Sequence, residues 1–290
     1  MAYRGSEPVK FIEIINKRIS VRTFSTESLD EEILEKIKKI VTKKRKGPFG
    51  KTFSFTLIDT QGELSEDVGK MTSYGVIKDA RYYFSAYCDG DDRSVYDFGY
   101  CFEEAILELT FQELGTCWMG GTFGRGFFSR IMELPEDKII PAISPVGISL
   151  EKRAFADKIT RFIAGSKNRK SFQKLFFNYS GDVHLLPVST EELRAPLNEV
   201  LEAVRSAPSA SNKQPWRIVI QDNNIHFYWE FDSRYNSMIK GFNIQALDMG
   251  IALCHFKKAA EELRLGGNLS YADPHFENVN WKYILSWKVR

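Results

Sequence analysis

The chain has 290 residues, 43% of them hydrophobic and 27% charged, with a net charge of +2. That is enough apolar material for a sizeable core and too little net charge for a disordered chain or a globally basic nucleic-acid binder. No apolar run reaches the ~20 residues that a membrane-spanning helix needs, and the polar start, Met1 to Lys10, lacks the basic-then-apolar pattern of a secretory leader. A cytoplasmic protein without membrane partners is the expectation.

In chain order, a helix is predicted near Pro8–Lys17, followed directly by Arg18-Ile-Ser20-Val-Arg22. On an extended segment alternate residues point the same way. Two guanidinium groups and a hydroxyl could there hold a phosphate and a neighbouring polar ring through charge-assisted hydrogen bonds. Leu29, Ile33, Ile37 and Ile40 then recur at helical spacing behind Ser25-Thr26, a suitable helix start. The lysines of Lys36–Lys51 read as the solvated face and C-terminal end of that helix, because Phe49 is the one aromatic residue among them and single-strand binding favours regular interleaving. Gly50-Lys51-Thr52 imitates the end of a phosphate-binding loop, but only Pro48 and Phe49 separate Gly47 from Gly50 where four residues are required.

A strand is predicted over Phe53–Asp59 and another over Arg81–Tyr87. Asp97-Phe-Gly99 opens a densely apolar stretch ending at Leu114-Gly115, apolar on most faces, as a buried helix closed by a glycine cap should be. The glycine-rich Gly120–Gly126 follows this helix instead of opening one after a strand, which argues against a dinucleotide fingerprint. Beyond it come a strand at Ile140–Ile148 and a helix near Ser171–Phe177. Leu193, Leu197, Leu201 and Val204 form a second amphipathic helix behind Ser189-Thr190. The loop Ala207-Pro208-Ser209-Ala210-Ser211-Asn212-Lys213-Gln214-Pro215 has the composition of a connection whose polar groups face outward. Strands follow at Trp216–Asp222 and Ile225–Trp229 around a hairpin turn at Asp222-Asn-Asn224. A second apolar stretch runs from Asp248-Met-Gly250 to Leu265-Gly266, and a last strand is predicted at Tyr283–Trp287.

The order repeats. Leu29 maps to Leu193 with an offset of 164, Asp59 to Asp222 with 163, and Asp97, Gly99, Leu114 and Gly115 map to Asp248, Gly250, Leu265 and Gly266 with 151 throughout. Two copies of helix, strand and buried central helix indicate an internal duplication. Helix and strand alternate irregularly, so an α+β architecture with sheets flanked by helices is expected. The four cysteines and four histidines are scattered without the spacing of a thiol motif or of metal ligands, so no metal is expected.

R-x-S-x-R near the start, A-P-S-x-x-N-x-Q-P-W after an amphipathic helix, and a buried helix ending in L-G-x-x-W-x-G resemble the FMN-dependent nitroreductase family. In that family two subunits share each flavin. One subunit contributes the arginine–serine segment and the glycine loop, and the other the P-S-x-x-N loop. Here the first set lies in the first half of the chain and the loop in the second. The resemblance therefore implies a nitroreductase-like fold of two duplicated, intertwined lobes, 1–182 and 183–290, forming an intrachain pseudo-dimer, and it allows a monomer.

By the same resemblance Arg18, Ser20 and Arg22 would contact the FMN phosphate, ribityl chain and pyrimidine edge. Trp118, Gly120 and Gly121 would lie in the loop that meets the ring, Lys167 and Arg169 would form a late K-x-R phosphate contact, and Pro208, Ser209, Ser211 and Asn212 would close the site from the second half. The counterparts of the two motifs, Asp182–Leu186 and Gly47–Lys51, lack the needed residues, which implies one FMN per chain. The implied activity is two-electron transfer from NAD(P)H to a small electron-poor acceptor such as a nitroaromatic or quinone. A non-enzymatic flavin-binding or redox-sensing protein is the alternative. No side chain stands out as a catalytic acid or base, since the flavin itself carries the redox chemistry.

Overall fold

The computed structural model describes residues 10–61, 77–121, 123–150, 169–180, 184–222, 224–272, 274, 276 and 280–290. Two long helices form its centre, α3 (Asp92–Phe111) and α7 (Ile244–Glu262). Their apolar residues point in nearly every direction, and both are buried along most of their length. Asp91 caps α3 by accepting from the amides of Arg93 and Ser94 at 3.0 and 3.1 Å. The helices cross backbone to backbone at Gly99 and Gly250, the two glycines of the repeat. A β-carbon on Gly99 would lie 2.5 Å from the Leu247 carbonyl oxygen, and one on Gly250 would meet the Tyr96 carbonyl even more closely.

Among the described residues three sheets surround this pair. The first lobe carries a four-stranded sheet of β3 (Thr56–Asp59), β4 (Tyr82–Ser85), β6 (Ser144–Gly147) and β5 (Gly115–Thr116), in that order, and a short hairpin of β1 (Arg45–Lys46) with β2 (Thr52–Phe53). The second lobe's sheet is six-stranded: β11 (Gly267–Ser270), β12 (Lys282–Val289), β10 (Asn224–Trp229), β9 (Trp216–Gln221), β7 (Phe176–Ser180) and β8 (His184–Pro187). The peripheral helices are α1 (Phe11–Lys17), α2 (Glu31–Thr42), α4 (Arg125–Ile131), α5 (Leu197–Arg205) and the single turn α6 (Ser233–Asn236). Among the described residues no helix is long and apolar enough to cross a membrane.

The duplication is visible in contacts as well as in spacing. The Asp97 carboxylate accepts from the amides of Phe49 and Lys51 at 2.7 and 2.8 Å, and Asp248 accepts from Ala210 at 2.8 Å. Each aspartate thus ties down its own half's loop. Both long helices end alike: the Leu114 amide reaches the Leu109 carbonyl at 3.1 Å and the Leu265 amide reaches Ala260 at 2.8 Å. The two halves are intertwined, because β7 pairs in parallel with β9 inside the second lobe's sheet.

Several predicted elements shift. The left-handed residues after the long helices are Glu113 and Arg264, at φ 61° and 57°, not the glycines; Gly115 instead packs as a strand residue where a β-carbon would strike Val21. The helix predicted near Ser171–Phe177 is a 3₁₀ turn, Phe172–Lys174, running into strand β7. Phe172 and Phe176 have helical spacing, but pairing with β9 and β8 supplies Phe176 and its neighbours with backbone partners that local sequence does not reveal. Helix α5 begins only after Pro196, which lacks the N–H needed inside a helix. The strand over Phe53–Asp59 is interrupted where the Phe55 amide bonds back to Val41 at 2.9 Å. The lysine-rich run is matched by acids: Lys36 with Glu32, Lys38 with Glu35, Lys43 and Arg45 with Glu108, and Lys51 with Asp89.

Candidate active site

The segment after α1 is extended, and Ser20 forms a parallel bridge with Thr116 while the Val21 amide donates to the Thr116 carbonyl at 2.9 Å. This sets the R-x-S-x-R stretch beside the start of the glycine loop. That loop is held in turn by β6 and its lead-in: the Cys117 amide donates to Ser144 Oγ at 3.0 Å, and Met119 exchanges two backbone bonds of 3.0 Å with Ile143. Opposite stands the 207–216 loop. Ser211, Asn212 and Gln214 have positive φ of 48°, 56° and 47°, conformations costly for side-chain-bearing residues and maintained by many local bonds. Asp248 holds the Ala210 amide, Ser209 Oγ accepts from the Gln214 amide at 2.9 Å, and Tyr235 donates its hydroxyl proton to Ser211 Oγ at 2.9 Å.

Between the two loops lies a cleft of ≈ 490 Å³, within the range of cofactor sites. Ser20, Arg22, Trp118, Gly120 and Gly121 line it from the first lobe, and Pro208, Ser209, Ser211 and Asn212 from the second. Nine of the twelve residues singled out from the sequence thus meet around one space. Ile244, Leu247 and Ile251 of α7 supply an apolar floor, and Tyr235 and Asp248 complete the wall.

Three residues behave differently. Arg18 does not line the cleft; its side chain is 8% exposed and its Nε lies 3.7 Å from Glu103 Oε1, inside ion-pair range but beyond a hydrogen bond. Arg169 donates to Asn212 Oδ1 at 2.8 Å, to the Ala207 carbonyl at 2.6 Å and to the Ser206 carbonyl at 3.1 Å, tying the end of the first lobe to the second lobe's loop. Lys167 lies outside the described residues.

Burial, with Arg18 and Arg205 as neighbouring cations, pushes the Arg169 guanidinium down to about 10. Cations crowded in this way are a setting that a phosphate would relieve. Burial pushes the Asp248 carboxyl up to about 8, with the Ala210 amide opposing the shift, so burial favours its neutral form; its Oδ2 has no hydrogen-bond partner. Arg22 in the lining, Arg169 bonded to the lining residue Asn212, hydroxyl and amide groups around the rim and an apolar floor suit a molecule combining a phosphate with a flat ring, and these residues fit FMN.

Sequence reasoning missed Glu103, His255, Tyr235 and Arg125. Glu103 had a signal: a carboxylate inside an all-round apolar helix needs a partner. Trp118 Nε1 donates to Glu103 Oε2 at 2.6 Å, and its ring meets Phe102 edge-on at 4.7 Å. Arg125 donates to the Gly120 carbonyl and stacks over Phe123 at 4.5 Å. Nothing local marked His255 or Arg125.

The family model described as "Putative TM nitroreductase" matches residues 10–260. The chain belongs to this nitroreductase family. A crystal structure titled a "putative nitroreductase" from Thermotoga maritima MSB8 is similar over 100% of this chain and 99% of its own, at 19% identity and a TM-score of 0.61. At that identity the likeness speaks for the fold. A nitroreductase family protein from Clostridium novyi NT aligns over 50% of this chain and 87% of its own, at 18% identity and a TM-score of 0.39. An FMN-dependent nitroreductase from Clostridium difficile R20291 aligns over 48% and 87%, at 20% identity and the same TM-score. A search of curated proteins by sequence found no match.

Proposed function

We propose that this nitroreductase-family oxidoreductase binds one FMN per chain in the inter-lobe cleft and passes two electrons from NAD(P)H to a small electron-poor acceptor such as a nitroaromatic or quinone. The observation that carries this reading is the convergence of Ser20, Arg22, Trp118, Gly120 and Gly121 with Pro208, Ser209, Ser211 and Asn212 on a single cleft. The division of the chain into lobes 1–182 and 183–290 belongs to the same reading.

FMN, when bound, supplies the hydride and electron transfer. The chain's own residues orient it and set its electrostatics. Arg169 and Arg18, with Lys167, would be the cations for the phosphate, Arg18 lying 3.7 Å from Glu103. Ser20 and Arg22 give a hydroxyl and an exposed cation to the ribityl chain and the pyrimidine edge. A cation there favours negative charge on the ring and raises its potential. Gly120 and Gly121 leave room for close backbone approach, and Ile244, Leu247 and Ile251 keep water from the floor.

The test is anaerobic titration of FMN-loaded protein with NADH and NADPH, followed by addition of a quinone. Bleaching by either nucleotide and recovery with the quinone support the reading. A flavin-loaded protein that neither nucleotide reduces would favour binding or sensing instead.

A further inference from the structure

Glu103 and His255 are the most deeply buried ionisable pair near the cleft, with both side chains at 0% exposure, and the chemistry above makes no use of them. Glu103 is on α3 and His255 on α7. Glu103 Oε1 faces His255 Nε2 at 2.9 Å and Arg18 Nε at 3.7 Å, while Oε2 accepts from Trp118 Nε1 at 2.6 Å. On the far side of the ring, His255 Nδ1 faces the Ala203 carbonyl of α5 at 2.9 Å. A backbone carbonyl and a carboxylate oxygen are both acceptors, so each ring nitrogen of His255 faces one. Both Glu103 oxygens are committed, and the carboxyl cannot turn without breaking its bond to Trp118 or to His255.

The repeat gives an independent argument. At the offset of 151, Glu103 corresponds to Cys254, Trp118 to Leu269 and His255 to Glu104. Cysteine and leucine cannot reproduce the network, and Glu104 pairs with Lys258 at 2.6 Å. The network exists on the side that retains the arginine–serine segment and the tryptophan loop, and its mirror image does not.

We propose that Glu103 and His255 are positioning residues through which the second lobe fixes the Trp118 indole in the wall of the flavin cleft, with Arg18 as the neighbouring cation of the same network. This rests on the proposed FMN site for its consequence, though not for its geometry. Removing the carboxylate charge leaves the indole an amide oxygen in place of a charge-assisted acceptor and leaves Arg18 without its anion, so the cleft wall is held less firmly before any ligand arrives.

The test compares Glu103→Gln, His255→Asn and their double variant with Glu104→Gln, whose pair with Lys258 occupies the corresponding helix position. Two quantities are read: the Trp118 indole N–H resonance in flavin-free protein, assigned by its loss in Trp118→Phe, and the FMN dissociation constant. The proposal expects the resonance to move in Glu103→Gln and His255→Asn. It expects FMN to bind about tenfold more weakly in each, as for one lost charge-assisted bond, with the double variant little worse than either. Glu104→Gln should leave both quantities unchanged. An unmoved resonance, wild-type FMN affinity in Glu103→Gln, or an equal loss in Glu104→Gln would overturn it. Should wild-type protein take up no FMN, the function fails, while the resonance still decides whether Glu103 and His255 position Trp118.

Discussion

At the scale of single residues, the two arginines of the R-x-S-x-R segment are not equivalent. Arg22 is exposed at the cleft, whereas Arg18 is the buried neighbour of Glu103. Arg22→Ala is therefore expected to weaken FMN binding by about 1.5–3 kcal/mol and leave the unfolding midpoint unchanged. Arg18→Ala should weaken binding and also lower stability by about 1–3 kcal/mol, since a buried carboxyl loses a cation. Calorimetric titration with urea unfolding separates the two. Asp248 gives a pH signature. Its folded pKa of about 8 lies above the ordinary carboxylate value of 3.8, so between those limits the folded state binds more protons than the unfolded one. Stability through this group is therefore full below about pH 4 and falls as pH rises toward 8, by up to about 1.4 kcal/mol per unit. Asp248→Asn keeps an acceptor for the Ala210 amide and removes the ionisation. Its stability relative to wild type should climb between pH 4 and 8 and level off above; a constant difference across that range would contradict the assignment.

At the scale of elements, the sequence was most legible where an element's environment is uniform. The long helices α3 and α7 are apolar all round because they are buried all round, and their Asp-x-Gly and Leu-Gly ends recur in register. The 208–212 loop was legible because proline, serine and asparagine are local turn chemistry. The stretch over Ser171–Phe177 looks helical locally because its strand character comes from partners far along the chain, Ile218–Ile220 and Leu185–Pro187. Glu103 and His255 stayed hidden for the same reason: they meet across 152 positions of sequence. The crossing of the central helices gives a test with a built-in control. Gly250→Ala drives a methyl into the Tyr96 carbonyl and should cost several kcal/mol, on the order of 3 or more, or prevent folding, whereas Gly266→Ala meets open space and should be near neutral. Comparable urea midpoints for the two variants would mean that the helices do not touch at the repeat's glycines.

At the scale of the whole molecule, the duplication has one consequence that each half alone would lack. The lobes cross at α3 and α7, are joined by strand β7 in the second lobe's sheet, and bring the arginine–serine segment of one to the serine–asparagine loop of the other. The counterpart cleft has lost its equipment: Gly47–Lys51 stands in place of the serine–asparagine loop, and Leu269 stands where the tryptophan would be. A chain that carries both walls of its site needs no second copy, so FMN should remain bound on dilution under conditions where sedimentation reports a monomer. Loss of flavin in step with dissociation of a dimer would assign one wall to another chain.

The proposed composite site holds one FMN per chain. Titration of flavin-free protein with FMN, read by flavin fluorescence against protein concentration, tests it directly. Saturation is expected at about one FMN per chain, with Asn212→Ala and Arg22→Ala, from opposite lobes, each weakening that same event. Saturation at two equivalents, or no binding at all, would contradict it.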